Sequence, residues 1–182
     1  QVESLGFEVL RMPDGESMRD ANGLTDFEAR QVLVRTDRDP AAQVKTLAHE
    51  LAHVRLHGPD QAEARAHRGI GEVEAESVAL MVAAAHGMDT SAYTIPYVAG
   101  WAAKVDGKDP VQVVRDTGEK VRRAATEILG HLDTIQLGNG NPLSLRTDAP
   151  DREVAQRPPE RPAPRVEPPV RETPTVQAAG RG

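Results

Sequence analysis

Residues 47–57 of this chain read LAHELAHVRLH, and within them His49-Glu50-Leu51-Ala52-His53 is an unbroken H-E-x-x-H. On an α-helix, side chains four apart stand one above the other, about 6 Å apart. Two imidazoles so placed can converge on one metal ion, and Glu50, one step round, can reach a water on that ion. With the histidine and glutamate content of this chain the pattern would arise by accident roughly 0.02 times per sequence, so it carries weight on its own. The chemistry it would do is hydrolysis, with Zn²⁺ as the Lewis acid, His49 and His53 as ligands and Glu50 as the general base.

A catalytic zinc takes three protein ligands and leaves its fourth position to water. His57 continues the four-residue spacing, but three side chains on successive turns of a straight helix do not close on one ion. His57 is expected instead to cap the helix C-terminus, where its positive form is favoured. The longer H-E-x-x-H-x-x-G-x-x-H pattern is absent, since Leu56 and Pro59 occupy its next two defined positions. A carboxylate from the following helix remains. Glu72, Glu74 and Glu76 lie in an otherwise Ala- and Val-rich stretch, where an unpaired carboxylate is costly. Neighbours two apart point about 200° apart on a helix, so only one of the three is expected to face the metal. Glu74 shares its face with Val78, Met81 and Ala85 and therefore points inward, which makes it the expected third ligand. Glu72 and Glu76 flank that face and are expected to hydrogen-bond the histidines from behind. An oxyanion partner for the tetrahedral intermediate is sought among Tyr93, Tyr97 and His86. Tyr97 and Trp101, four apart, suit a core pair better than a catalytic one. His67 and His131 read as solvated.

These residues need elements to position them. Asp39 is a natural N-cap and Pro40 a natural first helical residue, and Gly58-Pro59 closes the segment, giving a motif helix over about 40–57. A ligand helix over about 71–86 ends at Gly87, a short helix covers Ile95–Lys104, and Asp109-Pro110 starts a long helix that runs to about Gln136. Ahead of the motif, Gly6–Arg11 and Arg30–Arg35 read as strands, with a turn at Ala21–Leu24 and a middle strand over Gly23–Phe27. Strands followed by helices is the α+β order. The expected domain occupies residues 1–140. Beyond it the composition changes: eight of the fourteen prolines fall in 148–182, among balanced charges and almost no large apolar side chains. That composition predicts a disordered tail over 141–182, whose Arg157–Arg165 stretch favours polyproline II and serves as a spacer or a docking peptide.

Composition narrows the function classes. The chain has no cysteine, which excludes disulfides and thiolate-bound zinc and fits a reducing cytoplasm. No apolar run is long enough for a transmembrane helix, so no membrane partner is expected. The net charge of −6 argues against a strongly nucleic-acid-binding surface on these residues. The first residue is Gln, which leaves room for an upstream domain or leader.

The motif helix, followed some twenty residues later by Glu72-Val-Glu-Ala-Glu-Ser-Val-Ala79, resembles the ImmA/IrrE family of zinc metallopeptidase domains over about residues 20–90. In that family an H-E-L-G-H helix precedes one reading roughly E-x-E-A-N-x-F-A; here Ala52 stands for the Gly and Glu76 for the Asn. The resemblance implies a minimal zincin-like fold, ligands His49 and His53, Glu50 as general base and Glu74, the acid before Ala75, as third ligand. It also implies an intracellular endopeptidase whose partner is a protein substrate such as a transcriptional regulator. The related ArdC-like antirestriction proteins carry a similar zincin domain behind a single-stranded-DNA-binding domain. By that likeness Glu72 or Glu76 is arguable as the ligand, and nucleic acid would be a partner through an upstream domain.

Overall fold

Val32 and Val34 are buried on the strand β3 (Gln31–Arg35), which organises the N-terminal part of the fold. β1 (Glu8–Met12) pairs with it in parallel, from Glu8 opposite Gln31 to Met12 opposite Arg35. β2 (Gly23–Asp26) pairs with its other side in antiparallel register, Gly23 opposite Val34 and Asp26 opposite Gln31. The sheet order is β1-β3-β2, so the strand that is second in the chain is an edge of the sheet. The turn from β2 to β3 is held by the Asp26 carboxylate, which accepts the amide hydrogens of Glu28 and Ala29. Arg30 ends this turn at φ 53°, a left-handed position uncommon for a residue with a side chain. Its guanidinium donates to the carbonyls of Gly6 and Leu5 and lies over the Phe7 ring, which offsets that cost and ties the turn to the N-terminus.

In this computed structural model, residues 1–13, 18, 21–59 and 68–140 are described. His67 and the Pro-rich segment, with its expected spacer or docking role, lie outside them. Four helices follow the strands: α1 (Pro40–Leu56), α2 (Arg68–Ala85), α3 (Ser91–Ala102) and α4 (Pro110–Gly130). The cap-plus-proline starts are present as expected. Asp39 accepts the amide hydrogen of Ala42, and Asp109 that of Gln112, each with proline in the first turn. α2 packs against α1, α3 and α4 and is buried around most of its circumference, which suits its Ala and Val content. One core cluster joins Val32 and Val34 of the sheet to Leu51 and Ala52 of α1, Val78 and Ala79 of α2, and Val121 and Ile128 of α4. A smaller cluster joins Val73, Ala102, Val105 and Val113. The arrangement is α+β.

Several helix boundaries differ from the sequence expectation: α2 begins at Arg68 rather than near Gly71, and α3 ends at Ala102 rather than Lys104. α3 begins four residues before Ile95, because the Asp89 carboxylate accepts from both the amide and the hydroxyl of Ser91, and Pro96 is carried inside the helix. α4 stops at Gly130 rather than near Gln136. Its apolar face ends with Ile128 and Leu129, whereas Ile135 and Leu137 are 86% and 75% exposed and give a further turn nothing to bury. Among the described residues no helix is long and apolar enough to cross a membrane.

Candidate metal centre

α1 turns its two motif histidines towards α2, and their Nε2 atoms stand 3.1 Å apart. Glu72, in the second turn of α2, brings Oε2 to 3.6 Å from His49 Nε2. One donor atom from each of the three residues lies within 4.8 Å of the other two. Two nitrogens bound to one tetrahedral zinc at about 2.0–2.1 Å stand roughly 3.3 Å apart. The spacing of His49, His53 and Glu72 therefore fits a single ion.

Behind each histidine stands a carboxylate, directly for His49 and through a second imidazole for His53. Glu76 Oε2 is 3.0 Å from His49 Nδ1, and its Oε1 accepts from the buried Thr94 hydroxyl at 3.0 Å and from the ammonium of Lys45. His53 Nδ1 is 2.8 Å from Nδ1 of His57, and His57 Nε2 is 2.8 Å from Glu74 Oε2. Lys120 of α4 donates to the same Glu74 oxygen at 2.7 Å. With both Nδ1 positions engaged, the Nε2 lone pairs are the ones left facing each other and Glu72.

Glu74, the expected third ligand, is thus engaged with His57 and Lys120, while Glu72 is the carboxylate that joins the histidine pair. Glu76 stands behind His49 as expected. The physical reason is that α2 is buried on several sides: the apolar neighbours of Glu74 put it inside without saying which helix it meets. Glu72 and Glu76, one turn apart, share the face towards His49, and Glu74, about 200° round, meets the end of α1 and α4. His57 does form the cap of α1, its amide donating to the His53 carbonyl, but its ring turns into the site.

Burial and charge set the protonation of the ligands. Burial, followed by the nearby His49, His57 and Arg68, pushes the His53 imidazole down to about 2, so it stays neutral with a lone pair to offer. Burial pushes His49 the same way, but the hydrogen bond to Glu76 and the charges of Glu50, Glu76 and Glu72 outweigh it and leave His49 above its ordinary value. Burial raises Glu76, yet the His49 hydrogen bond and the Lys45 charge hold its carboxyl at about 2. Glu74 is likewise lowered against its burial, by His57 and Lys120.

Glu50 is buried, and its Oε2 accepts from the Thr25 hydroxyl of β2 at 2.8 Å. The edge strand lies close on α1 here, and Gly23 makes that possible. A β-carbon at 23 would collide with Glu50 Oε1 and sit 2.6 Å from Thr46 Cγ2. An open cleft of about 690 Å³ runs between β2 and the start of α2, lined by Leu24, Thr25, Phe27, His53, Arg68 and Glu72 among others. None of the expected oxyanion partners lines it. Tyr93 carries the Lys45 ammonium 4.0 Å from its ring centre, and Tyr97 packs edge-on against Trp101. His86, just past the end of α2, fourteen residues and so about 20 Å from Glu72, bonds the Val82 carbonyl and the Thr134 hydroxyl. The residues of the centre not singled out from sequence include Thr25, Lys45, Arg68, Thr94 and Lys120. Lys45 carries the clearest signal, a lysine one turn before His49 on the motif helix, where the carboxylate behind His49 needs a cation.

The family model for Peptidase_M78, the IrrE N-terminal-like domain, matches residues 2–97, slightly more than half of the chain. The chain belongs to this family. The family is one of metallopeptidase domains, and every residue of the centre from Gly23 to Thr94 lies within the matched span; Lys120 lies beyond it. An uncharacterized protein from Bacillus anthracis is 33% identical over 112 residues, which is 62% of this chain and 18% of that protein. The chain thus spans less than a fifth of the relative's length. No solved structure matches.

Proposed function

We propose that this is a zinc-dependent endopeptidase domain in which His49, His53 and Glu72 hold the metal and Glu50 is the general base. The observation that carries the reading is the convergence of two Nε2 atoms and one carboxylate oxygen while both Nδ1 atoms are engaged elsewhere. Bound there, zinc would polarise the scissile carbonyl and acidify the attacking water. Glu50, held by Thr25, takes the proton of that water and passes it to the leaving amine. Arg68, in the cleft and close enough to influence His53, supplies positive charge for the developing oxyanion. An extended substrate segment lies in the cleft along the outer edge of β2, which pairs with no other strand among the described residues. The substrate is a specific regulatory protein, selected by a cleft that mixes Asp26, Glu28 and Arg68 with Leu24 and Phe27.

Metal analysis after dialysis tests the ligand set. Glu72→Gln should lose zinc, whereas Glu50→Gln should keep one zinc per chain and lose peptide hydrolysis. Retention of zinc by Glu72→Gln and its loss from Glu74→Gln would return the third-ligand role to Glu74. For the substrate, casein, a co-encoded helix-turn-helix regulator and single-stranded DNA are compared. Glu50-dependent cleavage of the regulator alone is the expected result. Tight, salt-sensitive DNA binding without cleavage would favour the ArdC-like role.

A further inference from the structure

The chain His53–His57–Glu74–Lys120 is longer than a metal ligand needs, and the donor–acceptor sense of each link is determined. If His53 offers its Nε2 lone pair to a metal, its proton sits on Nδ1 and must be donated. The acceptor 2.8 Å away is Nδ1 of His57, which must then carry its own proton on Nε2. That proton points at Glu74 Oε2, 2.8 Å away, and the carboxylate can accept it because it has only acceptors to offer. Lys120 closes the series as a donor to the same oxygen. With His53 and His57 both neutral, every link works in one direction only, and reversing any of them leaves two hydrogens or two lone pairs face to face. The side chains of His57 and Glu74 are 7% and 5% exposed, so water does not compete for these bonds. Lys120, 42% exposed, is the surface end.

The other ligand is served by a parallel device: His49 to Glu76, with Lys45 as the cation. The difference is the inserted imidazole. Glu76 lies one turn from Glu72 and reaches His49 directly, whereas Glu74, on another face of α2, contacts His53 only through His57. We propose that His57, Glu74 and Lys120 form a positioning relay that fixes the tautomer and ring orientation of His53, presenting its Nε2 to the metal. This rests on the reading of His53 as a ligand. It gives His57, a helix cap by its main chain, a second role by its side chain.

The tautomers are read in the metal-free protein by long-range ¹H–¹⁵N correlation of the histidine rings, which needs neither zinc nor activity. The expected result is His53 protonated on Nδ1 and His57 on Nε2; His53 protonated on Nε2 would overturn the relay. Zinc affinity by chelator competition is the second readout. Outer partners of metal-bound histidines are typically worth about 10–100-fold in affinity, and His57→Phe should fall in that range. His57→Gln, whose amide oxygen can accept from His53, should recover part of the loss. Unchanged affinity in a folded His57→Phe protein would also overturn the proposal. Should wild type bind no zinc at all, the metal-site reading fails, and the tautomers still decide whether the relay exists.

Discussion

Lys45 is a cation placed inside the protein, 4% exposed, with Glu76 at 1% on one side and the Tyr93 ring on the other. Lys45→Met keeps most of the aliphatic stem and its packing while removing the charge. Glu76 would retain the His49 and Thr94 donors but lose the one permanent positive charge at its carboxylate. Removing one partner of a buried pair costs about 3–5 kcal/mol. Two surviving donors spare the carboxylate from being orphaned and place this case at the lower end, about 3 kcal/mol. For a domain of this size a kilocalorie moves the melting temperature by about 4 °C, so a drop of about 12 °C is expected. The assay is thermal unfolding by circular dichroism in EDTA near neutral pH. The double variant Lys45→Met/Glu76→Gln removes both charges and should melt above Lys45→Met alone. A Lys45→Met protein melting within about 2 °C of wild type, or a double variant melting below it, would refute the uncompensated-charge argument.

Gly23→Ala should displace Glu50 while leaving the metal ligands alone. A shift of about 1 Å costs on the order of 100-fold in turnover, so activity should fall by that order with zinc content unchanged, and equal activity would show that β2 does not seat Glu50. The metal-free protein should be most stable near pH 6.5, measured as melting temperature against pH in EDTA. Below that value the unfolded chain takes up a proton that folded His53, held at about 2, refuses, so stability falls by about 1.4 kcal/mol per pH unit, more steeply below about 4.5 where Glu76 joins. His49, raised in the fold, has the opposite sign: its contribution is complete below its ordinary value and is lost as pH rises through the elevated one. A melting temperature flat from pH 6.5 down to 4 would contradict the depressed His53 value. Finally, a chain ending near residue 145 should melt within about 2 °C of the full chain, because both core clusters are built from residues before it.

The parts of the fold that were legible from sequence are those governed by local chemistry. Asp39-Pro40 and Asp109-Pro110 mark helix starts through one carboxylate and one missing amide hydrogen, and both starts were placed correctly. The apolar run Val32-Leu33-Val34 between Arg30 and Arg35 is what marks β3 in the sequence. The start of α3 was less legible, because Pro96 looks like a first-turn residue and the Asp89–Ser91 bonds that begin the helix are not a strong local signal. The end of α4 was missed because Ile135 and Leu137 are apolar, and only the packed structure shows that no surface awaits them.

At the site the same division holds. His49, Glu50 and His53 are set by spacing along one helix, so sequence suffices to bring them together. The third carboxylate depends on the angle at which a second helix docks, and α2 offers acids at 72, 74 and 76 to more than one neighbour. An apolar helix that met a single wall would display its acids on the opposite, wet face. α2 instead meets α1, α3 and α4: Glu72 and Glu76 face His49 and Lys45 of α1, while Glu74 is held by His57 at the end of α1 and by Lys120 of α4. The period-two spacing of Glu72-Val-Glu-Ala-Glu76 follows from this. On a helix, positions i and i+4 serve one wall, and i+2 serves another. Two acids are thereby aimed at His49, one to each of its ring nitrogens, and the third is left for His57. Inwardness alone could not distinguish these faces; the lysines do, since Lys45 lies on α1 and Lys120 on α4, and each marks the wall where its carboxylate is compensated.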